Sequence, residues 1–242
     1  MEENYNEQTA YHYAAFRPDL HNNILWECLE LRRFKQGLDI GCGTGQSAIA
    51  LASYCDATIG IEPSKAMLEN AITHPGVTYQ LHSGTHLPFK SSQFDIITFA
   101  GSWYYAQSQE FLDELIRASA PGGLIIVYDF DVSLRKLMMK MDIEPEFLGN
   151  MPYDLEADFS GLDHSGLEFG IKAHKSRLAP FDAWQIGHML LAQRDHYELL
   201  RNLFGDALLY EKTVNKVQEL EAATDIKLAV NLYYTIYNRV EE

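Results

Sequence analysis

The residues of this chain best placed to bind a ligand form one short segment, Leu38 to Gly45. Asp39 supplies a carboxylate, and three glycines follow at alternate positions, Gly41, Gly43 and Gly45. Glycine lets the backbone adopt a positive φ and lets a ligand approach without meeting a Cβ. An apolar run precedes this segment, and a helix-like stretch, Gln46 to Tyr54, follows it. We therefore expect a strand, a tight turn and a helix start that suit a polar or carboxylate-bearing cofactor.

The spacing of the glycines narrows the kind of cofactor. Dinucleotide-binding loops prefer G-x-G-x-x-G/A, but Gln46 stands at the sixth position here, which disfavours a nicotinamide oxidoreductase. No Gly-Lys-Ser/Thr follows, so a phosphate-binding Walker loop is excluded. A glycine turn that binds no ligand is the alternative.

The segment Leu38 to Gly45 resembles the first motif of class I S-adenosylmethionine-dependent methyltransferases. The resemblance implies that the glycine loop passes the amino-acid end of S-adenosyl-L-methionine. It also implies that Asp39 helps to position the methionine ammonium. The loop residues implied as cofactor contacts are Gly41, Cys42, Gly43 and Gly45.

A second acid follows about twenty residues after the glycines, where related folds hold a ribose. Residues 57–62 predict a buried strand that ends in Glu62, whose carboxylate can accept hydrogen bonds from both ribose hydroxyls. Pro63 and Ser64 predict the start of a helix that runs to about residue 73, with Ser64 as its N-cap. Pro63 is expected beside the cofactor.

The adenine contacts are expected from two segments. Residues 77–83 predict a third strand, and the Leu-Pro-Phe of residues 87–89, followed by residues 94–97, resembles the family's third and fourth motifs. Ser83 then stands where the family commonly has an acid that holds the adenine amino group. A serine accepts that N–H without charge and with shorter reach. The adenine residues implied are Met67, Ser83, Gly84 and Thr85, although a Met at helical spacing is also typical of a core.

Residues 94–100 form a near-continuous apolar run, as expected for a strand with both faces covered. Ligands bind at the carboxyl ends of such strands. We therefore predict that Ala100 contacts the cofactor and that Trp103 and Tyr104 wall the substrate pocket, with ordinary core aromatics as the alternative. Residues 107–120 have a helical period, Pro121-Gly122-Gly123 ends that helix, and residues 124–130 predict a fifth strand.

The resemblance covers residues 37–130 and implies an α/β three-layer sandwich. Its Rossmann-like, seven-stranded, mostly parallel sheet would end in an antiparallel hairpin. We predict one domain over residues 1–242, and residues 168–178 and 226–240 within it predict strands, whereas 181–204 predict helices. Its segments are N-terminal entry helices (1–36), a cofactor-binding core (37–130), a substrate-side insertion (131–200) and a C-terminal strand region (201–242).

The N-terminal Tyr11 to Pro18 is similar to the Tyr-x-x-x-Arg-Pro entry segment of small-molecule methyltransferases of the trans-aconitate and ubiquinone-biosynthesis type. The resemblance places Arg17 beside a carboxylate, either that of the cofactor or that of the substrate. Tyr11 and Tyr13 are predicted to line the substrate pocket.

Composition disfavours several classes of protein. A formal net charge of −15 argues against a nucleic-acid-binding face, which needs clustered Lys and Arg. The three cysteines, Cys28, Cys42 and Cys55, are unclustered, which predicts no metal site and fits a reducing cytoplasm. No apolar run approaches ~18 residues, so we predict neither a signal peptide nor a membrane span. We expect a monomer or homodimer.

These features predict S-adenosylmethionine-dependent methyl transfer to a small molecule by in-line displacement. Such a reaction requires two reactants to be positioned and water to be excluded, and it needs no protein nucleophile. The alternative is a protein that binds S-adenosylmethionine without transferring its methyl group, for regulation or for a partner chain. A general base stays unassigned. The candidate histidines are His12, His86 and His188, and each is better explained as a structural or surface residue.

Overall fold

A computed structural model describes residues 7–143, 153–221 and 225–241. The chain folds into two compact units. The core unit contains residues 19–130, 153–175 and the chain from 232 onward, and the smaller unit contains the described parts of residues 1–18, 131–152 and 176–231. The boundaries of these units differ from those of the predicted segments. Residues 19–36 belong to the core unit, and the predicted 131–200 insertion is divided between the two units.

The seven strands form one mixed sheet in the order β3-β2-β1-β4-β5-β7-β6. The pairs β3–β2, β2–β1, β1–β4 and β4–β5 are parallel. With the antiparallel hairpin of β6 and β7, the predicted Rossmann-like α/β fold is confirmed. The strands are β1 Phe34–Ile40, β2 Cys55–Glu62, β3 Val77–Leu81, β4 Phe94–Ala100, β5 Ser119–Val132, β6 Leu167–Phe181 and β7 Ile226–Arg239.

Nine helices are described within those ranges, and a 3-10 turn, Trp103–Tyr105, follows β4. They are α1 Glu7–Ala15, α2 His21–Leu29, α3 Gln46–Ala52, α4 Lys65–Glu69, α5 Gln109–Ala118, α6 Arg135–Lys140, α7 Ala183–Leu191, α8 Arg194–Phe204 and α9 Leu209–Leu220. None of them is long and apolar enough to cross a membrane.

Three elements differ from the sequence prediction. Helix α4 ends at Glu69, earlier than expected, and α9 lies in the region predicted as C-terminal strand. Pro121-Gly122-Gly123 is part of β5, where the strand leaves its β4 register: Phe94 pairs with Ser119, but Ile96 pairs with Leu124. The extra residues form a local irregularity that Gly122 accommodates with φ +71°.

The core of the larger unit packs against both sides of β4. Phe94, Ile97 and Phe99 are fully buried there, and Phe111 and Leu115 of α5 join the same cluster. A strand of continuous apolar residues is therefore covered on both faces, as the sequence pattern predicts. This burial fixes the position of the carboxyl end of β4, beside which the candidate site lies.

An ion pair on α5 holds the loop of residues 87–89. Both carboxylate oxygens of Glu114 accept from the Arg117 guanidinium, at 2.7 and 2.8 Å. Arg117 also donates to the carbonyls of Leu87 and Phe89, and the Leu87 N–H donates to Glu114. The hydrogen bond from Arg117 is the main reason that the pKa of Glu114 falls to about 2. Glu114 therefore stabilises the fold while it is ionised.

We expect Glu114→Gln to lower the free energy of unfolding at pH 7 by about 1 kcal/mol, which is the upper end of the range for ion pairs that solvent screens. The folded-state pKa of Glu114 lies below its usual value of 4.5, so this stability is present above that pH and is lost as pH falls toward 2. Urea unfolding at pH 7 and pH 2.5 measures the difference. Glu110→Gln, on the same helix, is the control; an equal loss in both variants would contradict the assignment.

Candidate functional site

The glycine loop begins where β1 ends. Gly41, Gly43 and Gly45 all adopt positive φ, at +71°, +55° and +97°. The N–H groups of Gly41 and Cys42 both donate to the Ile61 carbonyl of β2, at 2.8 and 3.1 Å. The loop is thus attached to the neighbouring strand, and its conformation requires the residue type that the sequence supplies.

The three glycines serve different purposes. A Cβ on Gly41 would overlap the Ser102 side chain, and a Cβ on Gly45 would overlap the Tyr79 hydroxyl. A Cβ on Gly43 would meet no atom within 4 Å. Packing within the protein therefore explains Gly41 and Gly45. At Gly43 the space beside the loop is open, as a ligand-binding loop requires.

Glu62 connects the end of β2 to the glycine loop. Its Oε2 accepts from the Gly43 N–H and its Oε1 from the Ser64 N–H, both at 3.0 Å. The side chain is 8% exposed. Each carboxylate oxygen has a second lone pair, so the same group can also accept from ligand hydroxyls. Glu62 therefore lies at the predicted place and also orders the loop.

Asp39 lies behind the loop and is fully buried. Its Oδ1 accepts from the Thr98 hydroxyl of β4 at 2.7 Å, and its Oδ2 from the Ser47 hydroxyl of α3 at 2.5 Å. Burial raises the pKa of Asp39 to about 6, against the opposing effect of the two hydroxyls. Because Asp39 has no exposed surface, the structure favours a positioning role over direct contact with the ammonium.

Cys42 faces the interior, so only its backbone is available to a ligand. The side chain is buried, and a Cβ on Gly60 would lie 2.9 Å from its Sγ. Burial raises the pKa of the thiol above its usual range, and the group stays protonated. Ala100, half-buried, ends β4 beside the loop.

The residues predicted around the ribose and adenine lie on the loops after β2 and β3. Ser64 caps α4 as predicted, its hydroxyl accepting from the Met67 N–H at 3.3 Å. Pro63 is exposed and Met67 half-buried. Ser83 and Gly84 are exposed, with Thr85 half-buried beside them. Their contacts to a cofactor stay a prediction.

Trp103 does not wall a pocket, contrary to prediction. Its side chain is 1% exposed and packs edge-on against Phe99 and Phe159, at 5.3 and 4.7 Å between ring centroids. The indole N–H donates to the Asp158 carbonyl at 2.7 Å. A buried indole with its N–H satisfied is a core residue. Tyr104 is half-buried, and its place at the substrate pocket stays a prediction.

The sequence analysis missed a polar pair at the carboxyl ends of β4 and β5. The Tyr153 hydroxyl lies 2.6 Å from Asp129 Oδ2 and 2.7 Å from the Gly101 carbonyl. The Tyr104 and Tyr153 rings lie 4.7 Å apart. The detectable signal was Asp129 itself, an acid within the otherwise apolar run of residues 124–130; Tyr153 carries no motif.

Tyr11, Tyr13 and Arg17 belong to the smaller unit, and their predicted place at the site stays untested. The Arg17 guanidinium lies over the Tyr13 ring, 4.5 Å from its centroid. Of the histidines considered, His12 and His188 also belong to the smaller unit. His86 lies 3.0 Å from the Glu114 carboxylate on the core surface, which gives it a structural explanation.

The comparisons with known proteins identify the segment that contains this loop. The sequence profile of the methyltransferase domain matches residues 38–127. Over these residues the chain is similar to the methyltransferase domain family. The domain lies within the core unit and contains the glycine loop, Glu62 and the end of β4.

Relatives match the same part of the chain. A methyltransferase-family protein of Dictyostelium discoideum is 32% identical over 122 residues, 49% of this chain and 46% of the relative. The demethylmenaquinone methyltransferase of Clavibacter sepedonicus is 33% identical over 119 residues, 45% and 49% of the two chains. The match thus spans about half the length of these curated relatives.

The fold extends further than the sequence similarity. A structure from Anaeromyxobacter dehalogenans, described as a type II methyltransferase, aligns with a TM-score of 0.59 at 19% identity. The alignment covers 94% of this chain and all of the other. The predicted methyltransferase domain is confirmed for residues 38–127 by the match to the family, and S-adenosylmethionine is the cofactor that this family implies.

We expect Gly43→Val to raise the dissociation constant for S-adenosylmethionine from roughly 1 μM to above ~100 μM, because the side chain fills the open space. Calorimetry measures the constant. Gly161→Val is a matched control in the same unit, since Gly161 has φ +84° and no atom within 4 Å of an added Cβ. Equal losses in both variants would point to backbone strain alone and would remove the loop assignment.

We expect Glu62→Gln to weaken cofactor binding by about 1.5–3 kcal/mol, the range for hydrogen bonds to a charged group. Thermal stability falls as well, because the amide that replaces one carboxylate oxygen cannot accept from a backbone N–H. Calorimetry and thermal melting separate the two effects. Glu69→Gln, an exposed acid at the end of α4, serves as control. A lower melting temperature with unchanged affinity would make Glu62 a structural residue only.

Proposed function

We propose that the protein binds S-adenosylmethionine at the glycine loop and transfers its methyl group to a small-molecule acceptor. The observation that carries the proposal is the open space at Gly43 beside the Glu62 carboxylate. Ser102 and Tyr79 fill the space beside the other two loop glycines. At Gly43, whose φ of +55° favours glycine, no protein atom lies within 4 Å of an added Cβ, so the space is free for a ligand.

The charges of the site support a cationic cofactor. Asp39 and Glu62 lie close enough that Glu62 contributes to the raised pKa of Asp39. Two buried acids behind and beside one loop repel a pyrophosphate and attract the ammonium and sulfonium of S-adenosylmethionine. This argument favours S-adenosylmethionine over a dinucleotide independently of the glycine spacing.

The chemistry needs little from the protein beyond placement. The acceptor's lone pair forms a bond to the sulfonium methyl as the carbon–sulfur bond breaks, and S-adenosylhomocysteine leaves with the electron pair. Positioning the reactants in line and excluding water supplies the rate enhancement. An anionic acceptor loses no proton, whereas a neutral amine or phenol passes one to a base or to water.

The small size of the acceptor is inferred from charge and from the entry segment. A chain of net charge −15 does not attract nucleic acid. Tyr11, Tyr13 and Tyr104 supply aromatic surface, and Arg17 supplies a cation for a carboxylate of the acceptor or of the cofactor. Similarity of the entry segment to the trans-aconitate and ubiquinone-biosynthesis group supports this class. We also propose a cytoplasmic monomer or homodimer.

A protein that binds S-adenosylmethionine without methyl transfer is the second candidate. Asp39 and Glu62 would order the loop in the same way in such a protein. The two candidates differ only in whether an acceptor reaches the sulfonium methyl. Detection of a methylated acceptor therefore decides between the two candidates.

The decisive test is incubation with methyl-labelled S-adenosylmethionine and a panel of small carboxylates, phenols, quinols and amines. We expect label in one small acceptor, and Arg17→Ala should raise its KM roughly tenfold, the loss of one charge-assisted contact. Tyr13→Phe, which keeps the ring beneath Arg17, is the control. Cofactor binding with no labelled acceptor would favour the second candidate. Faster labelling of nucleic acid or protein would contradict the small-molecule proposal.

A further inference from the structure

The smaller unit contains a cavity of about 380 Å³ that lies apart in sequence from the glycine loop. It is lined by Gln8, Tyr11 and His12 on α1, Tyr197 on α8 and Leu209 on α9. Within this lining no side chain carries a positive charge at neutral pH, and two of the five residues are tyrosines. The volume suits a small organic molecule.

Aromatic rings continue from this lining in an unbroken group. Tyr11 lies 5.2 Å from His12 and 6.4 Å from His188, measured between ring centroids. Tyr210 lies 5.3 Å from His12 and 4.3 Å from His188, and Trp184 lies 5.7 Å from Tyr210. The faces of such rings carry partial negative charge and attract cations within about 6 Å.

The two imidazoles are hydrogen-bonded to each other and neutral. The Nδ1 atoms of His12 and His188 lie 3.0 Å apart, so one ring donates and the other accepts. Burial, followed by the proximity of His188, lowers the pKa of His12 to about 4, and burial also lowers the pKa of His188. The pair therefore adds no positive charge that would repel a cation at pH 7.

Acidic groups give the aromatic cluster a negative potential. Burial is the main reason that the pKa of Tyr210 rises to about 12, and Asp182, at the N-cap of α7, and Glu211, in the first turn of α9, contribute to that rise. A neutral aromatic ligand would gain nothing from these acids. A ligand that carries one positive charge gains from the rings and from the acids together.

From this arrangement we propose that the cavity of the smaller unit binds a small organic cation with an alkylammonium group. Tyr11 supplies the accessible ring face, since it is 66% exposed. The cation is either the protonated form of an amine acceptor, which loses its proton to a base or to water before its lone pair attacks the methyl group, or a ligand that is not methylated. Only the first of these sources rests on the proposed function.

The test is calorimetric titration of the full chain, without S-adenosylmethionine, using choline as the probe. Its uncharged isostere 3,3-dimethylbutan-1-ol has the same shape. We expect choline to bind roughly tenfold more tightly than the isostere, the contribution of a cation–π contact with partial desolvation. Equal affinities, or no choline binding at 10 mM, would overturn the proposal.

Two variants locate the binding. Tyr11→Ala should weaken choline binding roughly tenfold, whereas Tyr11→Phe keeps the ring and should bind as the natural chain does. Tyr105→Ala is the matched control, because Tyr105 in the core unit is equally exposed, at 66%. Choline affinity that is unchanged in Tyr11→Ala, or reduced equally in both alanine variants, would overturn the site.

A further titration separates this proposal from the proposed function. Gly43→Val should lose S-adenosylmethionine binding and keep choline binding, so each proposal can fail alone. N,N-Dimethylethanolamine with labelled S-adenosylmethionine then distinguishes the sources. Labelled choline as product would make the cation the acceptor. Binding without labelling would support a ligand of the smaller unit that is not methylated.

Discussion

The buried carboxylate of Glu62 is the interaction on which the candidate site depends. It accepts from the Gly43 N–H on one side and from the Ser64 N–H on the other. One side chain thereby fixes the open position of the glycine loop and the start of α4. A buried acid is costly unless its oxygens are hydrogen-bonded, so the loop and the acid stabilise each other. The ligand position and the local fold are therefore coupled through one residue.

Asp39 completes this arrangement from the opposite side of the loop. Its two hydrogen bonds, from Thr98 on β4 and Ser47 on α3, connect the strand pair to the helix that follows the glycines. Gly41 and Gly45 then bring the loop against Ser102 and Tyr79 without a Cβ between them. The protein uses two glycines to close its own packing and one to leave space. A G-x-G-x-G pattern alone does not distinguish these purposes, because the distinction depends on residues from other strands.

The sequence predicted the parallel sheet and most of the loop because those signals are local. A near-continuous apolar run marks β4, glycines at alternate positions mark the end of β1, and an acid at a strand end marks Glu62. The role of Trp103 could not be predicted from the local sequence, because an aromatic residue directly after β4 can line a pocket or belong to the core. Only its packing against Phe159 decides between the two. The Asp129–Tyr153 pair joins residues 24 apart with no shared motif. Helix α9 was missed because the only signal found after residue 204 was the β-branched run of residues 226–240, after which the whole segment 201–242 was named a C-terminal strand region.

A negative potential is common to both proposed ligand sites, although they lie in different units. In the core unit it comes from two buried carboxylates beside a loop of backbone N–H groups. In the smaller unit it comes from ring faces and from the acids Asp182 and Glu211, while the two neutral imidazoles add no positive charge. The first arrangement holds a cation through full charges and the second through ring quadrupoles, which are weaker and select for methylated ammonium over a strongly hydrated ion. The net charge of −15 is thus consistent with positively charged ligands at both sites.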